Sequence, residues 1–208
     1  MITSISGCSV SSTAMLGLCV TTVHFKSAGK WRASWTAVVP PSMIQTGQVV
    51  FIDGGTTAVQ LARHLPADLK CTVVTHSPSI AVELTEHPLI DVIMIGGRLF
   101  KHSIVAMGPA ALDAIAQIRT DIYFMGVCSL HPEQGISTGD YDEAGVKRAI
   151  AAAAQKTVVL ASPEKLDTAS PFQIAPMQSV AAIIVNAGVP EALLAPYRNM
   201  GIEVVLAG

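Results

Sequence analysis

From Val49 onward the apolar residues come in short unbroken runs, many rich in Val and Ile: VVFID at 49–53, TVVTHS at 72–77, DVIMIGG at 91–97, DIYFMGV at 121–127, TVVLAS at 157–162, AAIIVN at 181–186 and IEVVLAG at 202–208. Segments of helical character lie between most of them, namely AVQLARHL, PSIAVELTEH, PAALDAIAQI, EAGVKRAIAAAAQ and PEALLAPYRNM. Continuous β-branched runs alternating with helices are the pattern of parallel strands covered on both faces. The expected fold is α/β, a Rossmann-like, mostly parallel sheet with helices on both sides. Such sheets bind ligands beyond the carboxyl ends of their strands. That directs attention to five loops: Asp53–Thr57, Thr75–Ser77, Gly96–Arg98, Gly126–Ser129 and Ala161–Lys165.

Residues 1–46 follow a different pattern, with Ser, Thr, Gly and Cys among short apolar runs and both tryptophans, Trp31 and Trp35. The expected organisation is an irregular N-terminal segment, 1–46, followed by one domain, 47–208. The alanine run 151–154 belongs to a helix, where small side chains allow close packing on a sheet.

Composition narrows the function. Charged residues make up 13% of the chain against roughly 25% in typical proteins, so either an oligomer covers much of the surface or the chain is simply rich in Ala and Val. The net charge of −2 leaves no electrostatic footprint for nucleic acid. Cys8, Cys19, Cys71 and Cys128 show no metal-ligand spacing and are expected to be reduced thiols, with no metal or cofactor. No apolar stretch is long enough to span a membrane, no basic residue precedes AMLGLCVTTV, and ISGC comes too early for a lipoprotein signal. The expected location is the cytoplasm.

The candidate chemistry lies in the strand-end loops. In Asp53-Gly54-Gly55-Thr56-Thr57 the glycines let the backbone approach a ligand, and a helix start presents free amides that favour an anion. This suits a phosphate, although a tight turn with a threonine N-cap explains the same residues, and neither nucleotide-binding glycine fingerprint is present. Thr75, His76 and Ser77 would bring hydroxyls to the same crevice, with Ser77 equally readable as a cap before Pro78. Gly97 and Arg98, followed by Lys101, form a polar loop able to meet an anion. Glu143 and Lys147 share a helix face and read either as a surface pair or, over the crevice, as groups for a phosphate or sugar oxygen; Lys165 is another such candidate. No serine lies in a hydrolase motif.

FIDGGTT, VVTHS, IMIGGRL, SIVAMGPAA, DIYFMGV, GIST, DEAGVKRAI and VVLASPEKL together resemble, in order and spacing, the effector domain of DeoR-type bacterial transcription regulators, over about residues 44–207. The resemblance implies a sheet akin to the ribose-phosphate and glucosamine-phosphate isomerases, a phosphorylated sugar or related metabolite in the strand-end crevice, and a homo-oligomer. DNA would be reached through a helix-turn-helix module, and residues 1–46 show no such pattern. Relative to the family, Gly54 stands where Ser is usual, His76 where Asn is usual, and Gly145 replaces an acid. Cys128 stands at the position of an acid that assists proton chemistry in the isomerase relatives, which argues against catalysis. The competing expectation is a sugar-phosphate isomerase using Glu143 or Asp53 as base.

Overall fold

The computed structural model describes residues 43–207. In chain order the elements are β1 (Val49–Ile52), α1 (Thr56–Arg63), β2 (Cys71–Thr75), α2 (Pro78–Glu83), β3 (Ile90–Met94), β4 (Arg98–Phe100), β5 (Val105–Met107), α3 (Pro109–Ala116), β6 (Thr120–Gly126), β7 (Ser129–His131), β8 (Gly135–Thr138), α4 (Tyr141–Ala153), β9 (Ala154–Leu160), β10 (Phe172–Ala175), β11 (Ala182–Asn186), α5 (Glu191–Asn199) and β12 (Glu203–Ala207).

The seven apolar runs form the seven strands of one sheet, in the order β12-β11-β9-β6-β1-β2-β3, and each neighbouring pair is parallel. Strand residues alternate between two faces, and both faces of the inner strands are buried. Phe51, Tyr123, Val159 and Ile183 join Ile115 of α3, Ile150 of α4 and Leu194 of α5 in one core layer. Val50, Ile52, Phe124 and Ile184 join Leu61 of α1 and Ile80 of α2 in the other. Burial on two sides explains why these strands read as continuous apolar runs. From β1 the chain winds outward through β2 to β3, then crosses back to β6 on the other side of β1. The sheet therefore changes winding direction between β1 and β6, the switch point at which sheets of this kind bind ligands.

Two features differ from the expectation. Arg98 and the residues after it form a short antiparallel hairpin, β4 with β5, in place of a plain polar loop. The stretch after β6 carries β7 and β8, which with β10 form a second, antiparallel sheet. Strands of three or four residues are too short to impose a readable period. Ile44 is buried in the core layer that contains α1. The expectations for Trp31, Trp35 and the rest of 1–42 fall outside the described residues. Among the described residues no helix is long and apolar enough to cross a membrane.

Candidate functional site

At the switch point the chain places a buried carboxylate. Asp53, the first residue after β1, is 1% exposed, and both of its oxygens are fully engaged. Oδ1 accepts from the Gly54 amide at 2.8 Å and lies 2.8 Å from His76 Nε2. Oδ2 accepts from Tyr123 Oη at 3.1 Å, from the Gly126 amide at 3.0 Å and from Lys147 Nζ. Burial would raise the pKa of this carboxyl, but the Lys147 ammonium and the His76 contact outweigh it and hold it well below the carboxylate range. Lys147 shows the reciprocal balance: burial works against its charge, and the Asp53 and Glu143 carboxylates more than offset this, raising its pKa. Burial and the Asp53 charge likewise push the Tyr123 phenol well up, so it stays a neutral donor.

Lys147 comes from the middle of α4, whose start is fixed by Asp140: its side chain accepts from the Glu143 amide at 2.8 Å. One helical turn separates Glu143 from Lys147, and their charged atoms are 3.7 Å apart. Lys147 also donates to the Gly126 carbonyl at 2.8 Å, so two of its three protons are spent on hydrogen bonds within the protein. Thr138, at the end of β8, donates to Glu143 Oε2 at 2.6 Å. Its only hydroxyl proton is thereby spent. The Cys128 thiol, 3.3 Å away, must therefore be the donor to Thr138. A line of polar groups thus runs from exposed Cys128 through Thr138 and Glu143 to the buried Lys147–Asp53 pair.

Beside this line lies the start of α1. Its N-cap is Gly55, at φ 106, and no side chain caps the helix, so the first-turn amides keep no partner inside the helix. A Cβ on Gly55 would meet nothing within 4 Å, which leaves the approach open. Gly54 is the opposite case: a Cβ there would lie 2.3 Å from Val105 Cγ1 and 3.3 Å from the Ser103 carbonyl oxygen. The hairpin lies directly against the cradle, and Ser77 Oγ ties it down by donating to the Ile104 carbonyl at 3.2 Å.

A family model described as the DeoR C-terminal sensor domain matches residues 37–187. The chain belongs to that family. It is 31% identical to a putative aga operon transcriptional repressor of Escherichia coli O157:H7, over 80% of this chain and 62% of that protein. It is 33% identical to the HTH-type transcriptional regulator GlpR of Haloferax volcanii, over 76% of this chain and 62% of that protein. The chain spans about three fifths of the length of these curated relatives. Among solved structures, ribose 5-phosphate isomerase A of Methanocaldococcus jannaschii matches with a TM-score of 0.42 and 17% identity, over 60% of this chain and 49% of that one.

Within this DeoR sensor domain the expected site residues divide into two groups. Asp53, Thr75, His76, Ser77, Glu143 and Lys147 are all buried, and each makes hydrogen bonds within the protein. Thr75 Oγ1 donates to the Ile52 carbonyl at 2.7 Å and accepts from the Ser77 amide. His76 lies between Asp53 and the Ala106 carbonyl, 3.1 Å from Nδ1. Ser77 is the N-cap of α2, but its hydroxyl serves the hairpin rather than the helix. Glu143 and Lys147 are not a surface pair. The threonine N-cap envisaged for α1 is also corrected, since Gly55 holds that place.

Gly55, Thr56 and Cys128 are exposed and Lys165 is half-buried, whereas Thr57 is 7% exposed. Burial pushes the Lys165 ammonium down, against the pull of Cys128 and Glu164. Among the described residues Lys165 Nζ has no ion-pair partner. Arg98 projects from the hairpin, its side chain 78% exposed and 4.0 Å from Asp142. At Gly97 a Cβ would stand 2.7 Å from the Met107 carbonyl oxygen, so a side chain there would disturb the hairpin. Tyr123, Gly126 and Thr138 complete the network, and the motif reading missed them. The available signals were a phenol inside an otherwise apolar strand and a threonine five residues before Glu143.

Proposed function

We propose that this sensor domain binds a phosphorylated sugar or related anionic metabolite at the switch point, and that the protein is a transcription regulator of sugar metabolism, a repressor in line with its relatives' names. The observation that carries the reading is the uncapped, open start of α1. Amides of Gly55, Thr56 and Thr57 and the two threonine hydroxyls offer donors to an anion, and Lys165 supplies an uncommitted positive charge. Arg98, on the hairpin, is a second candidate for the same anion. Cys128, exposed beside the cradle, supplies a polar contact for the body of the ligand. The negative charge of Asp53 sits behind this cradle, and Lys147 neutralises it.

The signal would travel by differential affinity: a ligand that prefers one arrangement of the strand-end loops and hairpin shifts the population toward it. DNA would be contacted through a helix-turn-helix module, as in the HTH-type regulators to which the chain is similar. No cofactor or metal enters the reading, and the protein is expected in the cytoplasm. We infer that it is not an isomerase. Asp53 is too strongly held as an anion and too enclosed to serve as base, and Glu143 already accepts from Thr138.

A panel of sugar phosphates and their unphosphorylated parents, read by thermal shift, tests the reading. Ligand at one hundred times its Kd contributes about 2.7 kcal/mol, a rise of roughly 5–10 °C for a domain of this size. Only phosphorylated compounds should produce it, and a panel with no shift would overturn the proposal. Isomerisation of ribose 5-phosphate or glucosamine 6-phosphate that disappears in Glu143→Gln would instead establish the enzyme reading.

A further inference from the structure

Among the described residues ten large apolar side chains are more than a third exposed, and six of them, Val82, Leu89, Ile93, Met94, Leu99 and Ile104, fall within residues 82–104. The other four are scattered over α3, α4, α5's C-terminal end and β12. Single exposed apolar residues need no explanation, but a contiguous group marks an interaction surface. This group surrounds β3, the edge strand of the main sheet. Ile93 is 42% and Met94 49% exposed. Consecutive strand residues face opposite sides, so the sheet is bare on both faces here.

The edge also lacks the usual protection. No lysine, proline or bulge interrupts IDVIM, and its one charge is Asp91. The Ile95 amide donates inward to the Thr75 carbonyl at 2.8 Å. By strand alternation the amides of Val92 and Met94 point outward, where no described strand pairs with them.

We propose that a second copy of this chain docks on this edge, the two β3 strands pairing antiparallel about a two-fold axis at Ile93. In that register Val92 faces Met94 of the second copy and Met94 faces its Val92. Their outward amides and carbonyls then exchange four hydrogen bonds. Ile93 meets Ile93 as a non-hydrogen-bonded pair, with Cα atoms about 4.5 Å apart. Asp91 falls opposite Ile95 of the second copy, whereas a register centred on Asp91 would set like charges against each other. A patch that is apolar, strand-edged and free of charge at its centre is complementary to itself, as a two-fold interface requires. Six such side chains present on the order of several hundred Å². With the backbone edge this approaches the roughly 800 Å² per partner of a stable interface. The hairpin that supplies Leu99 and Ile104 also supplies Val105 against Gly54, so the dimer would border the crevice.

Sedimentation equilibrium of the full chain tests the pairing. The expected mass is twice 21.7 kDa. Ile93→Glu/Leu99→Glu should weaken dimerisation at least 100-fold while the circular dichroism spectrum stays that of a folded chain. Leu206→Glu, on the opposite sheet edge, should leave it unchanged. Under mild oxidation Ile93→Cys should cross-link the dimer well above the wild-type background, because the axis sets residue 93 against itself. A monomer at the highest soluble concentration overturns the proposal, including one whose β3 amides are protected from exchange by residues 1–42. So does a dimer indifferent to Ile93→Glu/Leu99→Glu, or one that Ile93→Cys fails to cross-link. None of these outcomes depends on whether the crevice binds a sugar phosphate.

Discussion

Replacing Lys147 with methionine removes a charge and keeps most of the volume. Asp53 would then lie at 1% exposure without the cation that holds it ionised. Breaking a buried ion pair on one side costs about 3–5 kcal/mol. Asp53 keeps its contacts with Gly54, His76, Tyr123 and Gly126, so the loss is expected near the lower end, about 3 kcal/mol. With a urea slope of about 2 kcal/mol/M, the midpoint should fall by about 1.5 M. Adding Asp53→Asn removes the stranded charge, and the double variant should recover at least 1 kcal/mol relative to Lys147→Met. A coupling of that size is the mark of two groups acting as a unit. A loss under 1 kcal/mol for Lys147→Met, or strictly additive single and double variants, would refute the paired-charge account.

The acid limb supplies an independent check. The carboxyl of Asp53 is depressed in the folded state from an ordinary value of 3.8. Its contribution is therefore present above about pH 4 and is lost as pH falls further toward the folded value. Subtracting the stability curve of Asp53→Asn from that of the wild type should give a difference that is flat from pH 5 to 8 and shrinks below pH 4. A difference that shrinks instead between pH 5 and 8 would mean that Asp53 titrates in the physiological range and that Lys147 does not hold it ionised.

Three further outcomes are expected. Gly54→Ser, which would install the hydroxyl common in related regulators, should cost about 1–3 kcal/mol by overpacking, because Val105 Cγ1 occupies the space of the new Cβ. Val105→Ala should relieve the clash, and thermal melts of the single and double variants decide it. Thr138→Val should cost about 1–3 kcal/mol by leaving a buried oxygen of Glu143 without its donor, whereas Cys128→Ser should stay within about 0.5 kcal/mol, as exposed substitutions do; urea unfolding compares them. Lys165→Ala and Thr56→Ala/Thr57→Ala should each weaken sugar-phosphate binding about tenfold or more, the scale of a lost charge-assisted hydrogen bond, and exposed Lys156→Ala should not; calorimetric titration with whichever ligand the panel selects measures all three.

The main sheet was legible because its inner strands are buried on both faces, which turns VVFI or AIIV into an unbroken apolar run. The hairpin and the small sheet were not. Phe100 is half-covered and Arg98 exposed in β4, and the four residues of β8 are all buried, so neither shows a period. Strand-end placement likewise located the GGTT, THS and Lys147 segments without saying which atoms would be spent. Lys147 had an obvious partner four residues back, at Glu143. Its closer partner is Asp53, 94 residues away, and no local spacing carries that information. The same holds for Tyr123 and Gly126, whose roles exist only because β6 returns beside β1.

This division gives the two lysines of the site separable roles. Lys147 is buried and spends two of its protons on Asp53 and Gly126, and without it the cradle would sit over an uncompensated carboxylate that repels phosphate. Its effect on affinity is therefore indirect and should accompany a loss of stability. Lys165 is half-buried, unpaired among the described residues and attached to a short turn after β9, so its removal should lower affinity and leave the unfolding free energy within about 0.5 kcal/mol of wild type. Lys147→Met combined with Asp53→Asn separates the two effects further, since it removes both buried charges together. It should regain ligand affinity along with stability. If affinity stays lost while the midpoint recovers, Lys147 touches the ligand directly, and the assignment of the anion's positive partner passes from Lys165 to Lys147.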